Sequence, residues 1–129
     1  WGETILYSMC ILEEMQWKRT RSITSHDFFH GTLELLEPGV PVFLFKGEDE
    51  CRALDNRVEA FLRSGKTGDE DYFIIDTAEY AIPGLDDEFR VIVSPWILTV
   101  LATDRMARHY ETVTKHNLKY RRYYHQFDY

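Results

Sequence analysis

The sequence is poor in cysteine and in basic residues, and it has no long apolar run. Its 129 residues include only Cys10 and Cys51 as cysteines, too few for a disulfide framework, so we expect free thiols in a reducing, cytoplasmic setting. No apolar stretch approaches the roughly 20 residues that a membrane-spanning helix needs, and no secretion signal is visible. Basic residues number 15 against 22 acidic ones, and the net charge of −7 argues against non-specific nucleic-acid binding.

What is present is enough for the packed core of one domain. Apolar residues make up 44% of the chain and aromatic residues 15%, which excludes a disordered protein. The chain begins with Trp1 rather than methionine and enters a helical pattern almost at once. We therefore expect a fragment or a trimmed chain.

Helices and strands are predicted to alternate along the chain. The predicted helices cover residues 4–18, 48–63 and 86–109, and the predicted strands cover 40–45 and 72–75. Ser25-His26-Asp27 offers N-cap chemistry for a short helical turn, 64–69 is a predicted loop, and Pro95 should start a new helix or kink the last one. This alternation favours an α/β fold with a parallel sheet.

Two residues are candidates for acid–base chemistry. Glu14 follows Glu13 near the end of the apolar first helix, where either both carboxylates are solvated or Glu14 is held at the helix edge as a general base. His30 follows two phenylalanines and precedes Gly31, whose backbone can come close to a ligand. It is either a core histidine bonded to the backbone or a general acid that titrates near neutrality.

Other kinds of site have little support in the sequence. His26 and His30 could share a helical face, but no Cys or carboxylate set at matching spacing completes a metal site, so no metal is predicted. No nucleophile motif, P-loop or dinucleotide fingerprint is present. The basic, aromatic tail over 115–129 could be a charged surface, hold a phosphate or nucleic acid, or close as a lid over a polar ligand.

Several of these residues together resemble the sugar isomerase (SIS) domain family. The likeness is carried by Glu14-Met15-Gln16-Trp17, then Ser25 and Asp27-Phe28-Phe29-His30-Gly31, and it resumes at Arg121-Arg122-Tyr123. The sixteen positions from Glu14 to His30 match the spacing between the catalytic Glu and a His-Gly pair in the isomerase domain of glucosamine-6-phosphate synthase. The chain is most similar to the branch that cleaves phosphorylated fructosamines, over the later part of the second SIS domain.

The resemblance implies an architecture. It implies a three-layer α/β/α fold with a parallel sheet, of flavodoxin-like type and incomplete in this fragment. Residues 1–114 would be the C-terminal part of a SIS domain, and 115–129 a tail that covers the active site. It also implies a homo-oligomer, at least a dimer, in which the histidine can come from the neighbouring subunit. The chain departs from the family at His26-Asp27, Thr32 and Asn117, which leaves Glu14 and His30 in place.

The resemblance also implies an activity that needs no metal or cofactor. A deglycase would convert a 6-phosphofructosyl amino acid to glucose 6-phosphate and free amine, with Glu14 as base and His30 as acid or ring-opening group. The substrate-binding residues would be Gly2, Ser25, Arg122 and Tyr123. The alternatives are an aldose–ketose phosphosugar isomerase, a glucosamine-6-phosphate synthase-like isomerase domain, or a non-catalytic SIS module that senses a sugar phosphate. The fragment alone is expected to be inactive.

Overall fold

The chain forms two compact units. The structure is a computed structural model that describes residues 1–66, 68 and 71–128. Unit 1 combines the two ends of the chain, Trp1–Ser22 and Leu98–Tyr129, and unit 2 is the continuous segment Ile23–Ile97. The loop predicted over 64–69 lies partly outside the described residues, because Thr67 and Asp69 are not among them.

Unit 1 begins with the helix α1, which covers residues 2–15. Gly2–Ile5 are α-helical and Leu6–Met15 are π-helical, so the predicted helix is confirmed but ends three residues before the predicted end at 18. Its buried apolar residues are Tyr7, Ile11 and Leu12. Leu12 and Ile11 belong to the apolar pattern that predicts the helix, whereas Met9 of that pattern is 53% exposed.

A second helical stretch runs from residue 90 to residue 114, and the boundary between the units falls within it. It consists of α4 (Arg90–Leu98), a π-helical segment (Thr99–Met106) and α5 (Ala107–Thr114). Within unit 1 the π-helical segment contacts α1, and Ala102 is 1% exposed, since a small side chain permits close helix approach. Among the described residues, no helix has the length and apolar character needed to cross a bilayer.

Pro95 lies inside α4 and does not begin a helix. The prediction that it starts a new helix is therefore wrong. The helix instead begins at Arg90, directly after a 3₁₀ turn over Asp87–Phe89, so that Pro95 occupies a position past the first turn. A proline there removes one backbone donor, yet the remaining hydrogen bonds of the helix keep the segment helical.

Unit 2 begins with a short helix, α2 (Ser25–Phe28). Its N-cap is Thr24, whose hydroxyl accepts a hydrogen bond from the Asp27 backbone N–H at 3.2 Å. The cap therefore lies one residue before the predicted Ser25-His26-Asp27, because Thr24 has the extended backbone that an N-cap needs. A 3₁₀ turn over Thr32–Leu35 follows.

The sheet of unit 2 has two parallel strands in its described part. β1 (Val42–Lys46) pairs with β2 (Tyr72–Asp76) in a register that runs from Val42 opposite Tyr72 to Lys46 opposite Asp76. The connecting helix α3 (Arg52–Leu62) packs on β1, as a parallel crossover requires. The buried core residues of this unit are Phe28, Leu44, Val58 and Leu62. The predicted α/β class with a parallel sheet is confirmed.

A buried cluster of charged residues lies at the carboxyl ends of both strands. Lys46 is 5% exposed, and its Nζ lies 2.5 Å from Glu59 Oε2 and 3.1 Å from Asp76 Oδ2. Arg52 donates from Nη1 and Nη2 to the two carboxylate oxygens of Asp76, at 2.9 and 2.7 Å. Burial opposes ionisation of Asp76, but hydrogen bonds from Arg52, the Ala78 N–H and Lys46 outweigh it and lower the pKa of Asp76 to about 2.

We expect this carboxylate to make the protein less stable in acid. The pKa of Asp76 is depressed from an ordinary 3.8 to about 2, so its contribution is fully present above pH 4 and is lost between about pH 4 and pH 2. The shift corresponds to about 2 kcal/mol. Urea unfolding of the wild type and of Asp76→Asn should show a difference in unfolding free energy that shrinks by that amount over this range. A difference that stays constant would contradict the assignment.

Candidate functional site

The carboxylate of Glu14 lies at the end of α1 and is held by the tail. Its side chain is 28% exposed, and Glu14 Oε1 forms an ion pair with Arg121 Nε at 2.7 Å. The neighbouring Glu13 is exposed and accepts from the Thr20 hydroxyl at 2.5 Å. Of the two interpretations of the sequence, the structure therefore favours a fixed Glu14 at the edge of the helix beside a solvated Glu13.

Arg121 is itself fixed by the backbone of the tail. Its side chain is 18% exposed, and its Nη1 donates to the carbonyl of Leu118 at 2.7 Å and to that of Tyr120 at 2.8 Å. The planar guanidinium thus uses different nitrogens for the tail and for Glu14. The position of the Glu14 carboxylate therefore depends on the path of the tail.

Gln16 and Trp17, which follow α1 directly, anchor the tail to the end of this helix. Gln16 is 4% exposed, and its Nε2 donates to the His116 carbonyl at 2.8 Å while its Oε1 accepts from the Thr114 hydroxyl at 2.9 Å. Trp17 has a left-handed backbone with φ of 54°, which is rare for a bulky residue. Its ring contacts the His116 ring at 4.3 Å, and the Arg122 guanidinium lies 4.1 Å from its centroid.

His30 belongs to unit 2, whereas Glu14 belongs to unit 1. It is exposed just after α2, with the His26 ring 5.4 Å away between centroids. The interpretation of His30 as a buried core histidine is therefore wrong, because the two phenylalanines before it fill the core instead. In the ranges 1–66, 68 and 71–128, no group of three or more His, Cys, Asp or Glu residues is arranged to hold a metal ion.

The predicted substrate-binding residues are divided between the units. Ser25 lies in unit 2, where its hydroxyl donates to the buried Asp55 carboxylate at 2.5 Å. Gly2, Arg122 and Tyr123 lie in unit 1: Gly2 is exposed at the start of α1, Arg122 stacks on Trp17, and Tyr123 is 67% exposed. Their assignment to substrate binding stays a prediction.

Sequence reasoning missed the contact between Glu14 and Arg121. Both residues stand in the segments that resemble the SIS family, but only Arg122 and Tyr123 were selected from the tail. The available signal was a carboxylate at the end of an apolar helix, which needs a partner when partly buried. The sequence does not say which of two adjacent arginines supplies that partner.

The chain is similar to named proteins along its whole length. It is 32% identical over 133 aligned positions to a Bacillus subtilis protein named fructosamine deglycase FrlB, covering 100% of this chain and 38% of that protein. It is 32% identical over 116 positions to an Escherichia coli K12 protein named fructoselysine 6-phosphate deglycase, covering 88% of this chain and 31% of that one. No protein-family profile matches the chain.

Two crystal structures share its fold. A candidate phosphosugar isomerase from Bacillus subtilis superposes with a TM-score of 0.87 at 30% identity, over 99% of this chain and 38% of that one. Another from Salmonella typhimurium LT2 gives a TM-score of 0.84 at 31% identity, again over 99% and 38%. The chain thus spans less than two fifths of the length of these relatives.

The structural comparison shows the fold class of the chain, and the sequence comparison shows to which proteins it is related. In fold, the chain corresponds to part of an α/β phosphosugar isomerase, as predicted. In sequence, it is related to the fructosamine deglycases of the sugar isomerase family, and the resemblance derived from its residues is confirmed.

Proposed function

We propose that the full-length natural protein is a deglycase acting on a phosphorylated fructosamine. Its substrate would be a 6-phosphofructosyl amino acid, and its products glucose 6-phosphate and the free amine. The names of the two curated relatives support this substrate class, since each of them matches at least 88% of this chain.

The proposed chemistry moves one proton between neighbouring carbons and consumes one water. Glu14, as carboxylate, removes a proton from C1 of the open-chain ketosamine, and the electron pair forms an enaminol. Protonation at C2 gives the imine of the aldose. Water adds to that imine, and its collapse releases the amine and the aldehyde of glucose 6-phosphate. His30 would open the sugar ring or protonate an oxygen, which is ordinary work for an imidazole near neutral pH.

The observation that carries the proposal is the state of the Glu14 carboxylate. A general base must be held at a fixed place and still reach its substrate. Glu14 is fixed through Oε1 by Arg121, and its side chain remains 28% exposed. Glu14 meets both requirements, and this is what supports the catalytic interpretation.

The rest of the proposal concerns the surroundings of the reaction. Gly2, Ser25, Arg122 and Tyr123 would bind the substrate, with the guanidinium of Arg122 suited to a phosphate. We further propose a homo-oligomer, at least a dimer, in the cytoplasm. Two free cysteines, Cys10 and Cys51, support a reducing compartment.

A phosphosugar isomerase is the second candidate. The two structural neighbours are described as candidate phosphosugar isomerases, and isomerisation uses the same first proton transfer from C1 or C2. The two activities differ in the substituent at C1, which is an amine in one substrate and an oxygen in the other.

The proposal is tested by supplying both kinds of substrate to the purified full-length protein. We expect glucose 6-phosphate release from 6-phosphofructosyl-lysine or 6-phosphofructosyl-aspartate, measured by a coupled dehydrogenase assay, and little conversion of fructose 6-phosphate. Conversion of fructose 6-phosphate alone would establish the isomerase instead. Binding of sugar phosphate without turnover of any substrate would indicate a sensor and refute both enzymatic proposals.

A further inference from the structure

We propose that Arg121 is a positioning residue, which holds the Glu14 carboxylate in its reactive orientation from the C-terminal tail. The inference rests on the proposed function, because it assigns a role through Glu14. It makes the tail a working part of the catalytic site rather than only a cover over it.

The first support is that different nitrogen atoms of Arg121 contact Glu14 and the backbone of the tail. Nε lies 2.7 Å from Glu14 Oε1 in an ion pair, while Nη1 donates to the carbonyls of Leu118 and Tyr120. A guanidinium held by two backbone carbonyls has little freedom to follow a moving carboxylate. The carboxylate is instead held beside the fixed guanidinium, since opposite charges at this distance attract each other.

The second support is independent of Arg121. The tail is fixed to the residues directly after α1, through the bond from Gln16 Nε2 to the His116 carbonyl and through the ring of Trp17, and Gln16 Oε1 binds Thr114 at the end of α5. The left-handed backbone of Trp17 is an unfavourable state for a bulky residue, and such states persist where the surroundings hold them. The segment that carries Arg121 is therefore anchored within two and three residues of the carboxylate that it contacts.

The two supports predict a kinetic role for Arg121 with little effect on stability. Both side chains of the pair keep partial solvent contact, 18% for Arg121 and 28% for Glu14, and ion pairs of this kind add little to folding. Misplacing a catalytic group by about 1 Å can nevertheless cost about 10²-fold in rate. Loss of Arg121 should therefore change kcat far more than thermal stability.

The experiment compares Arg121→Gln, Arg121→Lys and Arg108→Gln in the full-length protein, with deglycase turnover of a 6-phosphofructosyl amino acid as the readout. Arg108 is the matched control, because it forms an exposed ion pair with Asp104 in the same unit. We expect Arg121→Gln to lower kcat by roughly ten- to a hundredfold with KM nearly unchanged. Arg121→Lys should restore part of the loss, and the Tm of each variant should match that of Arg108→Gln.

A double-mutant cycle separates this inference from the proposed function. If the wild type shows no deglycase turnover, the proposed function itself fails, and if Glu14→Gln retains wild-type turnover, the assignment of Glu14 as the base fails. If Glu14→Gln is inactive while Arg121→Gln keeps wild-type kcat, or changes only KM, the inference alone fails. We expect Glu14→Gln combined with Arg121→Gln to be no slower than Glu14→Gln, because Arg121 acts through Glu14. A further loss in the double variant would show a separate role and overturn the inference.

Discussion

Replacing Glu14 by glutamine should lower kcat by about 10²- to 10⁴-fold, the contribution expected of one acid–base group. The amide has the size of the carboxylate, and its oxygen can still contact Arg121, so the geometry at the end of α1 is kept. What it cannot do is take a proton from carbon. KM and thermal stability should change little, since neither depends on proton transfer. The measurement is steady-state deglycase turnover by the full-length protein.

The adjacent Glu13 provides the matched control for this prediction. Glu13 has the same chemistry one residue earlier, but it is exposed and contacts Thr20 rather than the tail. Glu13→Gln should retain turnover within about twofold, in line with a surface charge that takes no part in the reaction. Equal losses in the two variants would point to a general effect of charge and contradict a specific role for Glu14.

Replacing Asp76 by asparagine should destabilise the protein by about 3 kcal/mol, the lower end of the range for breaking a buried ion pair. The substitution leaves Lys46, which is 5% exposed, with only Glu59, and it removes the charge that Arg52 contacts through both terminal nitrogens. Lys46 and Arg52 then lose the carboxylate that they share. Urea unfolding at pH 7 followed by circular dichroism measures the loss.

An exposed ion pair serves as the comparison for Asp76. Asp104 pairs with Arg108 at 2.7 Å on the surface, with 55% of its side chain exposed. Asp104→Asn should cost less than about 1 kcal/mol, because solvent screens the pair before and after the change. If both substitutions have the same effect, burial of the cluster at the strand ends is not what stabilises it.

Local sequence patterns predicted the order of the elements well. The apolar run near residue 42 and the one near residue 72 gave both strands, and their separation by a helical pattern gave the parallel pairing. Those signals are strong because a parallel sheet needs a long crossover, which α3 supplies. Boundaries were less accurate: β1 begins two residues after the predicted start at 40 and includes Lys46.

Lys46 shows why that boundary was missed. Lysine is seldom buried, so the sequence pattern ends the predicted strand before Lys46. In the structure Lys46 continues the strand, because Glu59 and Asp76 neutralise its charge in the interior. The π-helical winding of Leu6–Met15 was also beyond prediction, since such windings are rare and no residue type in the segment marks the change from i→i+4 to i→i+5 bonds.

The sequence predicted Glu14 and His30 of the candidate site, but not Arg121. Glu14 and His30 stand out through residue type and spacing, which are local properties. Arg121 becomes a partner of Glu14 only because the tail returns to the end of α1, and that return depends on the Gln16 amide and on the unusual backbone of Trp17. Contacts between distant segments of this kind leave no periodic trace in a single sequence.

The discontinuity of unit 1 has a consequence for the order of events during synthesis. Its two parts are the ends of the chain, and the Gln16–His116 bond joins residues 100 positions apart. A ribosome releases the amino-terminal part first, so α1 must wait for the whole of unit 2 to emerge before its partner helices exist. Closing so long a loop is entropically costly and slow. The Glu14 carboxylate therefore acquires its arginine last, and a nascent chain carries this site in an unassembled form until residue 121 has left the ribosome.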